Sequence, residues 1–96
     1  MHEYEMMYML RPELDEAAVA ASIAKESELV TSNGGEVTKA EPWGPRRRLA
    51  YPIKTCREAQ YVLMQFKLDP QALAEVERIV RLTDEVIRYL VIRLDD

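Results

Sequence analysis

Ninety-six residues with 48% hydrophobic and 31% charged side chains describe one ordinary globular unit, long enough to build a core without a metal or a disulfide. The 13 Lys and Arg against 17 Asp and Glu give a net charge of −4, which excludes a general affinity for polyanions. The longest apolar run, "MMYML", is far short of the roughly 20 residues of a membrane span. The opening "MHEYE" has neither the basic start nor the apolar stretch of a secretory leader. A single cysteine, Cys56, rules out an internal disulfide, so a reducing, cytosolic setting is expected.

In chain order, "YEMMYML" (residues 4–10) is apolar at both alternating sets of positions, as a central strand covered at least partly on both sides would be. "LDEAAV" then starts a helix. Asp15 is placed to cap its free N–H groups, and Leu14 and Val19 flank it as a hydrophobic staple. The helix runs through Ile23 and Val30 and stops at Asn33-Gly34-Gly35. The second half repeats the plan. "YVLMQFKL" (61–68) is a strand, and Asp69 caps a helix whose first position is Pro70 and whose buried stripe is Leu73, Val76 and Val80. "VIRYLVIRL" (86–94) is the last strand. Stating a β-α-β unit twice, joined by a hairpin, predicts a ferredoxin-like split β-α-β fold: α+β, a four-stranded antiparallel sheet with two helices on one face. The expected core is Met6 or Met7, Tyr8, Leu10, Val19, Ile23, Val30, Val62, Met64, Phe66, Leu73, Val76, Val80, Leu90 and Ile92.

Pro42, Pro45 and Pro52 place the intervening strand at an edge, since each would remove a ladder hydrogen bond from a central one. Gly44-Pro45 predicts a bulge or bend, and the pairing turn falls near Lys54 to Ala59. The hairpin is longer than the sheet needs, so residues 42–60 of the single 1–96 domain are expected to project as an arm. Charge concentrates there. Residues 44–58 carry five basic and one acidic side chain, against three basic and nine acidic in 1–43.

No enzyme motif is present. Cys56 has no evident histidine partner, because His2 is the sole histidine, and no Cys/His cluster suggests zinc. "SNGGE" is too short for a phosphate-binding loop, and "AQYVLMQF" lacks the aromatic signature of an RNA-recognition motif. No catalytic residue, cofactor or metal is therefore expected. The cluster Arg46-Arg47-Arg48 admits two readings: a solvated guard that protects an edge strand, or a clamp for phosphate oxygens. Alternation sends Arg47 to the side of Leu49, Tyr51 and Ile53 and sends Arg46 and Arg48 to the other, while Lys54 and Arg57 extend the positive charge.

"RRRLAYPI", with the opening "YEMMYMLRPELDE" and the close "LDPQALAEVERIVRLTDEVIRYLVIRLD", resembles the bacterial small-subunit ribosomal protein six family over nearly the whole chain. The resemblance implies a structural, non-enzymatic component of the small ribosomal subunit, cytoplasmic and ribosome-associated. It also implies binding to the central domain of the small-subunit ribosomal RNA together with ribosomal protein eighteen. Carried onto this chain, it implies RNA contact by Tyr4, Arg46, Arg47, Arg48, Lys54, Arg57 and Arg88, and protein contact by Trp43, Leu49, Tyr51 and Ile53. Two departures stand out. Where members often carry Arg or Lys beside the first tyrosine, this chain has His2 and Glu3. It also stops at Asp95-Asp96, so any tail-mediated part of the partner interface is expected to be missing. The alternative from the residues alone is a ferredoxin-like regulatory or ligand-binding oligomerisation module, for which the basic hairpin has no evident use.

Overall fold

The structure is a computed structural model. It describes residues 1–43, 47–53 and 56–95, with the backbone alone for 47–53 and for Cys56 and Arg57. The elements follow in the order β1 (His2–Leu10), α1 (Glu16–Ser32), β2 (Glu36–Pro42), β3 (Arg47–Ile53), β4 (Cys56–Leu68), α2 (Pro70–Leu82) and β5 (Val86–Arg93). The sheet order is β2-β4-β1-β5, and β3 also pairs with β4. The second strand of the expected β-α-β-β-α-β plan is thus present in two pieces along one edge. Every pairing is antiparallel.

Both helices begin as their sequences direct. Asp15 Oδ1 accepts a hydrogen bond from the Ala18 N–H at 2.8 Å, and Asp69 Oδ1 accepts from the Gln71 N–H at 3.1 Å. Pro70 occupies the first turn of α2, where its missing N–H costs nothing. At the end of α1, Gly34 takes φ +85°. The Gly34 N–H reaches Thr31 O at 3.0 Å and the Gly35 N–H reaches Val30 O at 3.0 Å, the two bonds of a Schellman cap. Gly35 is constrained by space: a Cβ there would lie 2.7 Å from the Lys67 carbonyl oxygen and 2.8 Å from side chains of Leu68 and Val30.

The core forms between the helices and one sheet face. Tyr4, Met6, Tyr8 and Leu10 from β1 meet Val62, Met64, Phe66 and Leu68 from β4, under Val19, Val30, Val76 and Val80 from the helices. Leu73 and Ile23 pack against this cluster while partly exposed. Two expected core residues lie elsewhere: Leu90 is 62% exposed and Ile92 48%. The cause is the pairing. Leu90 sits opposite Met7 and Ile92 opposite Glu5, on the face away from the helices, whereas Tyr89 and Val91 oppose Tyr8 and Met6. In an all-apolar strand the period of two does not say which set turns inward. The register also skips at Met9/Leu10, whose partners are Arg88 and Val86, so Ile87 is an inserted residue; it is buried with Ala59, and the half-buried Met9 and Tyr61 pack against the pair. The Gly44-Pro45 bend and the side chains expected on the hairpin lie outside the described residues.

Phe66→Ala should cost about 3–5 kcal/mol in denaturant unfolding, as a fully buried aromatic does. Leu90→Ala should stay within about 0.5 kcal/mol of the parent, as an exposed position does. If the two variants are equally destabilised, the assignment of sheet faces is wrong.

Candidate nucleic-acid and protein interface

Two helices cover one side of the sheet, and the other side faces outward. Along it, Tyr61 and Leu63 from β4, Met7 and Met9 from β1, and Leu90 and Ile92 from β5 form an apolar band, with Trp43 at the end of β2. The Trp43 N–H donates to the Tyr61 carbonyl at 2.7 Å, and the two rings meet edge-on with centroids 6.1 Å apart. Met7, Met9, Arg88, Tyr89 and Leu90 line a shallow groove of about 210 Å³ in this band. Large apolar side chains grouped on one exposed face mark a surface that associates with something. Protein contact is expected at Trp43, Leu49, Tyr51 and Ile53; the side chains of the last three lie outside the described residues. The band itself was legible as apolar pattern in "YEMMYML" and "VIRYLVIRL", although its outward direction was not.

Both ends of the sheet carry both signs of charge, and the arginines gather toward one of them. At the end near Trp43, Arg88 is exposed on β5 opposite Met9, beside the buried pair Ile87 and Ala59. Ala59 is the β4 partner of Arg47, and Glu58 that of Arg48. Arg11 and Arg81 stand nearby, Arg11 Nε on the Asp84 carbonyl at 3.0 Å and Arg81 on the Tyr89 hydroxyl at 3.1 Å. The backbone of Arg47 and Arg48 therefore pairs with β4 at an end that also holds Arg11 and Arg88. The side chains of Arg46, Arg47, Arg48, Lys54 and Arg57 lie outside the described residues. At the opposite end stand Glu3, Glu5 and Glu36, with Lys67 Nζ 4.0 Å from Glu3.

Tyr4, named by the sequence analysis for RNA contact, is 5% exposed and packs its ring on Phe66 at 5.7 Å between centroids. In this arrangement it does not present a free face for base stacking. The terminus around it is tied down. His2 Nδ1 lies 3.2 Å from Asp95 Oδ2, the Glu3 N–H donates to Asp95 Oδ1 at 3.2 Å, and Leu94 N–H donates to the Glu3 carbonyl at 2.8 Å. Desolvation pushes the Asp95 carboxyl up, but hydrogen bonds from His2, the Glu3 backbone and Arg93 outweigh it and hold the group below its ordinary value. Where a basic first turn would offer charge to RNA, this chain closes a clasp on itself. Among the described residues no group of His, Cys, Asp and Glu is arranged to hold a metal ion, and no helix is long and apolar enough to cross a membrane.

Comparison with known proteins places the chain among relatives that share its fold. The sequence model of a family described as Ribosomal protein S6 matches residues 3–93. A small ribosomal subunit protein bS6 of Desulforamulus reducens is 45% identical over 93 residues, covering 97% of each chain. Its counterpart in Caldanaerobacter subterraneus subsp. tengcongensis is 46% identical over 96 residues, covering all of each. Among solved structures, 30S ribosomal protein S6 from Thermotoga maritima superimposes with a TM-score of 0.88 at 30% identity, covering 97% of this chain and 87% of that one. The C-terminal domain of MgtC from Mycobacterium tuberculosis shares the fold, with a TM-score of 0.58 at 14% identity.

The clasp predicts an acid dependence with a definite sign. A carboxyl lowered below its ordinary 3.8 in the folded state adds stability above that value and loses it as pH falls through the lower folded value. Asp95→Asn should thus unfold at lower urea than the parent at about pH 6, and the gap should narrow as pH falls below the ordinary 3.8. Equal midpoints at the higher pH would show that the clasp contributes nothing.

Proposed function

The chain belongs to the ribosomal protein S6 family, and from that premise we propose that it binds the central domain of the small-subunit ribosomal RNA jointly with ribosomal protein S18. As a member of that family it is a structural, non-enzymatic component of the small ribosomal subunit, ribosome-associated in the cytoplasm. The family match over residues 3–93 sets the regulatory-module alternative aside.

One observation carries the division of labour: exposed Arg88 and an apolar band that includes exposed Leu90, Ile92 and Trp43 occupy the sheet face turned away from the helices, on a molecule of net charge −4. In this reading the hairpin of residues 42–60 is an arm. Support comes from β4, whose residues 60–68 pair with β1 while its residues 56–59 fall in the part that pairs with β3. Arg46, Arg47, Arg48, Lys54, Arg57 and Arg88 clamp phosphate oxygens, because guanidinium groups engage them in pairs and shed hydration more readily than ammonium groups do. Trp43, Leu49, Tyr51 and Ile53, together with the band of Met7, Leu63, Leu90 and Ile92, meet the protein partner. Tyr4 adds to RNA binding only if the Phe66 contact and the Asp95 clasp give way, so its share is small.

Acting alone, the acidic chain should bind ribosomal RNA weakly, and S18 should raise its affinity sharply, as a gel-shift titration with and without the partner would read. Changing Arg46, Arg47 and Arg48 together to Ala should flatten the slope of log affinity against log salt by about 2–3, since each phosphate contact contributes roughly 0.7–0.9. Unchanged slope would make these arginines an edge guard. Leu90→Asp should abolish pairing with S18 while leaving the urea midpoint near that of the parent, because the position is already exposed to water. Full retention of pairing would remove the band from the interface.

A further inference from the structure

Beneath α1, three polar groups are sealed from solvent in a place that neither RNA nor protein contact would reach. Glu26 is 1% exposed and Ser22 4%, one turn apart on the buried side of the helix, and Tyr8 is fully buried on the β1 face below them. Both Glu26 carboxyl oxygens, the Ser22 hydroxyl and the Tyr8 hydroxyl are without a hydrogen-bond partner from the protein. An ionised carboxylate in such a place would forfeit its hydration and gain no donor in exchange, a cost that grows to many kcal/mol if nothing relaxes. The neutral acid forfeits far less.

We propose that the folded protein carries Glu26 as the neutral carboxylic acid, and that its ionisation is a built-in alkaline release of α1 from the sheet. The charged groups around it are consistent with this. Burial is the main force that pushes the carboxyl above its ordinary 4.5; Lys25, the neighbouring cation on α1, works the other way, and Glu85, at the approach to β5, adds to the rise. On β1 the Tyr8 phenol is itself raised, first by burial and then by Glu26, with Ser22 opposing, so it offers a hydroxyl and no charge. From α2 the cleft beside Lys25, Glu26 and Glu28 is walled by Ile79, and the adjacent Arg78 is held by Glu75 at 2.7 Å. The β4 residues in this core, Val62 and Met64, are apolar.

The sign follows from linkage. A carboxyl raised in the folded state is protonated there when the unfolded chain has already ionised, so unfolding releases a proton. Stability is therefore complete below the ordinary 4.5 and declines as pH rises, until the folded-state carboxyl itself ionises and the decline stops. Through that window the unfolding constant should gain about tenfold per pH unit from this one group. Once ionised, the carboxylate regains water only if the middle of α1 lifts away from Tyr8.

The test has two arms on the intact chain. Urea unfolding of the parent and of Glu26→Gln should be compared at intervals from about pH 5 to about pH 8; the glutamine has nearly the same shape and cannot ionise. The ratio of their unfolding constants should grow in the glutamine's favour by about tenfold per pH unit until it levels off. Independently of any variant, the ¹³C shift of the Glu26 carboxyl should hold its acid value through the region near 4.3 where a free glutamate titrates. Parallel unfolding curves, or a Glu26 carboxyl that titrates as a free glutamate does, would overturn the proposal. Should the variant fail to fold, the carboxyl titration of the parent alone decides.

Discussion

Antiparallel pairing between β1 and β4 runs unbroken from His2 opposite Leu68 to Leu10 opposite Gln60. Because side chains alternate, this one register decides the rest: it puts Tyr4, Met6, Tyr8 and Leu10 on the same side as Val62, Met64, Phe66 and Leu68. The helices have nowhere else to bury their stripes. The complementary set, Met7, Met9, Tyr61 and Leu63, is turned outward by the same pairing. A shift of one residue would turn one strand's set over relative to the other's and mix the two faces, so the core and the outward band are a single choice.

Local signals of high content were legible in the chain. Asp15, Asp69, Pro70 and Gly34-Gly35 act through bonds to residues at most five positions away, and their neighbours in sequence are their neighbours in space. Face assignments depend on a partner strand, and there the pattern was mute. "VIRYLVIRL" is apolar at nearly every position, and only the pairing with β1, including the extra Ile87, turns Leu90 and Ile92 outward. Glu26 and Ser22 were invisible for another reason: a polar residue in a helix reads as surface unless the sheet beneath it is known. At the candidate site, Arg88 and Trp43 are exposed, whereas Tyr4, chosen through resemblance, is buried in the core.

The clasp and the arginine end show how one sheet serves two chemistries. Strands give straight rails, so residues far apart in sequence meet at a common end: His2, Glu3 and Asp95 at one, Arg11, Arg47 and Arg88 at the other. The separation is partial, since Glu58 pairs with Arg48 on β3 and Asp84 and Glu85 lie beside Arg11, and each such carboxylate weakens the positive field at that end.

The outward band also governs what happens to a copy that has found no partner. Two free chains could bring their apolar bands together, and β2, at the sheet edge, could accept a strand from a neighbour. Pro42 withholds a donor from that edge, the skip in register at Thr38 disturbs its ladder, and Lys39 and Glu41 set paired charges 3.3 Å apart on it. The net negative charge adds a mutual repulsion between copies. A surplus of this protein over its assembly partners should therefore persist as dispersed single chains, a reservoir held in solution by its margins while its centre stays ready to bind.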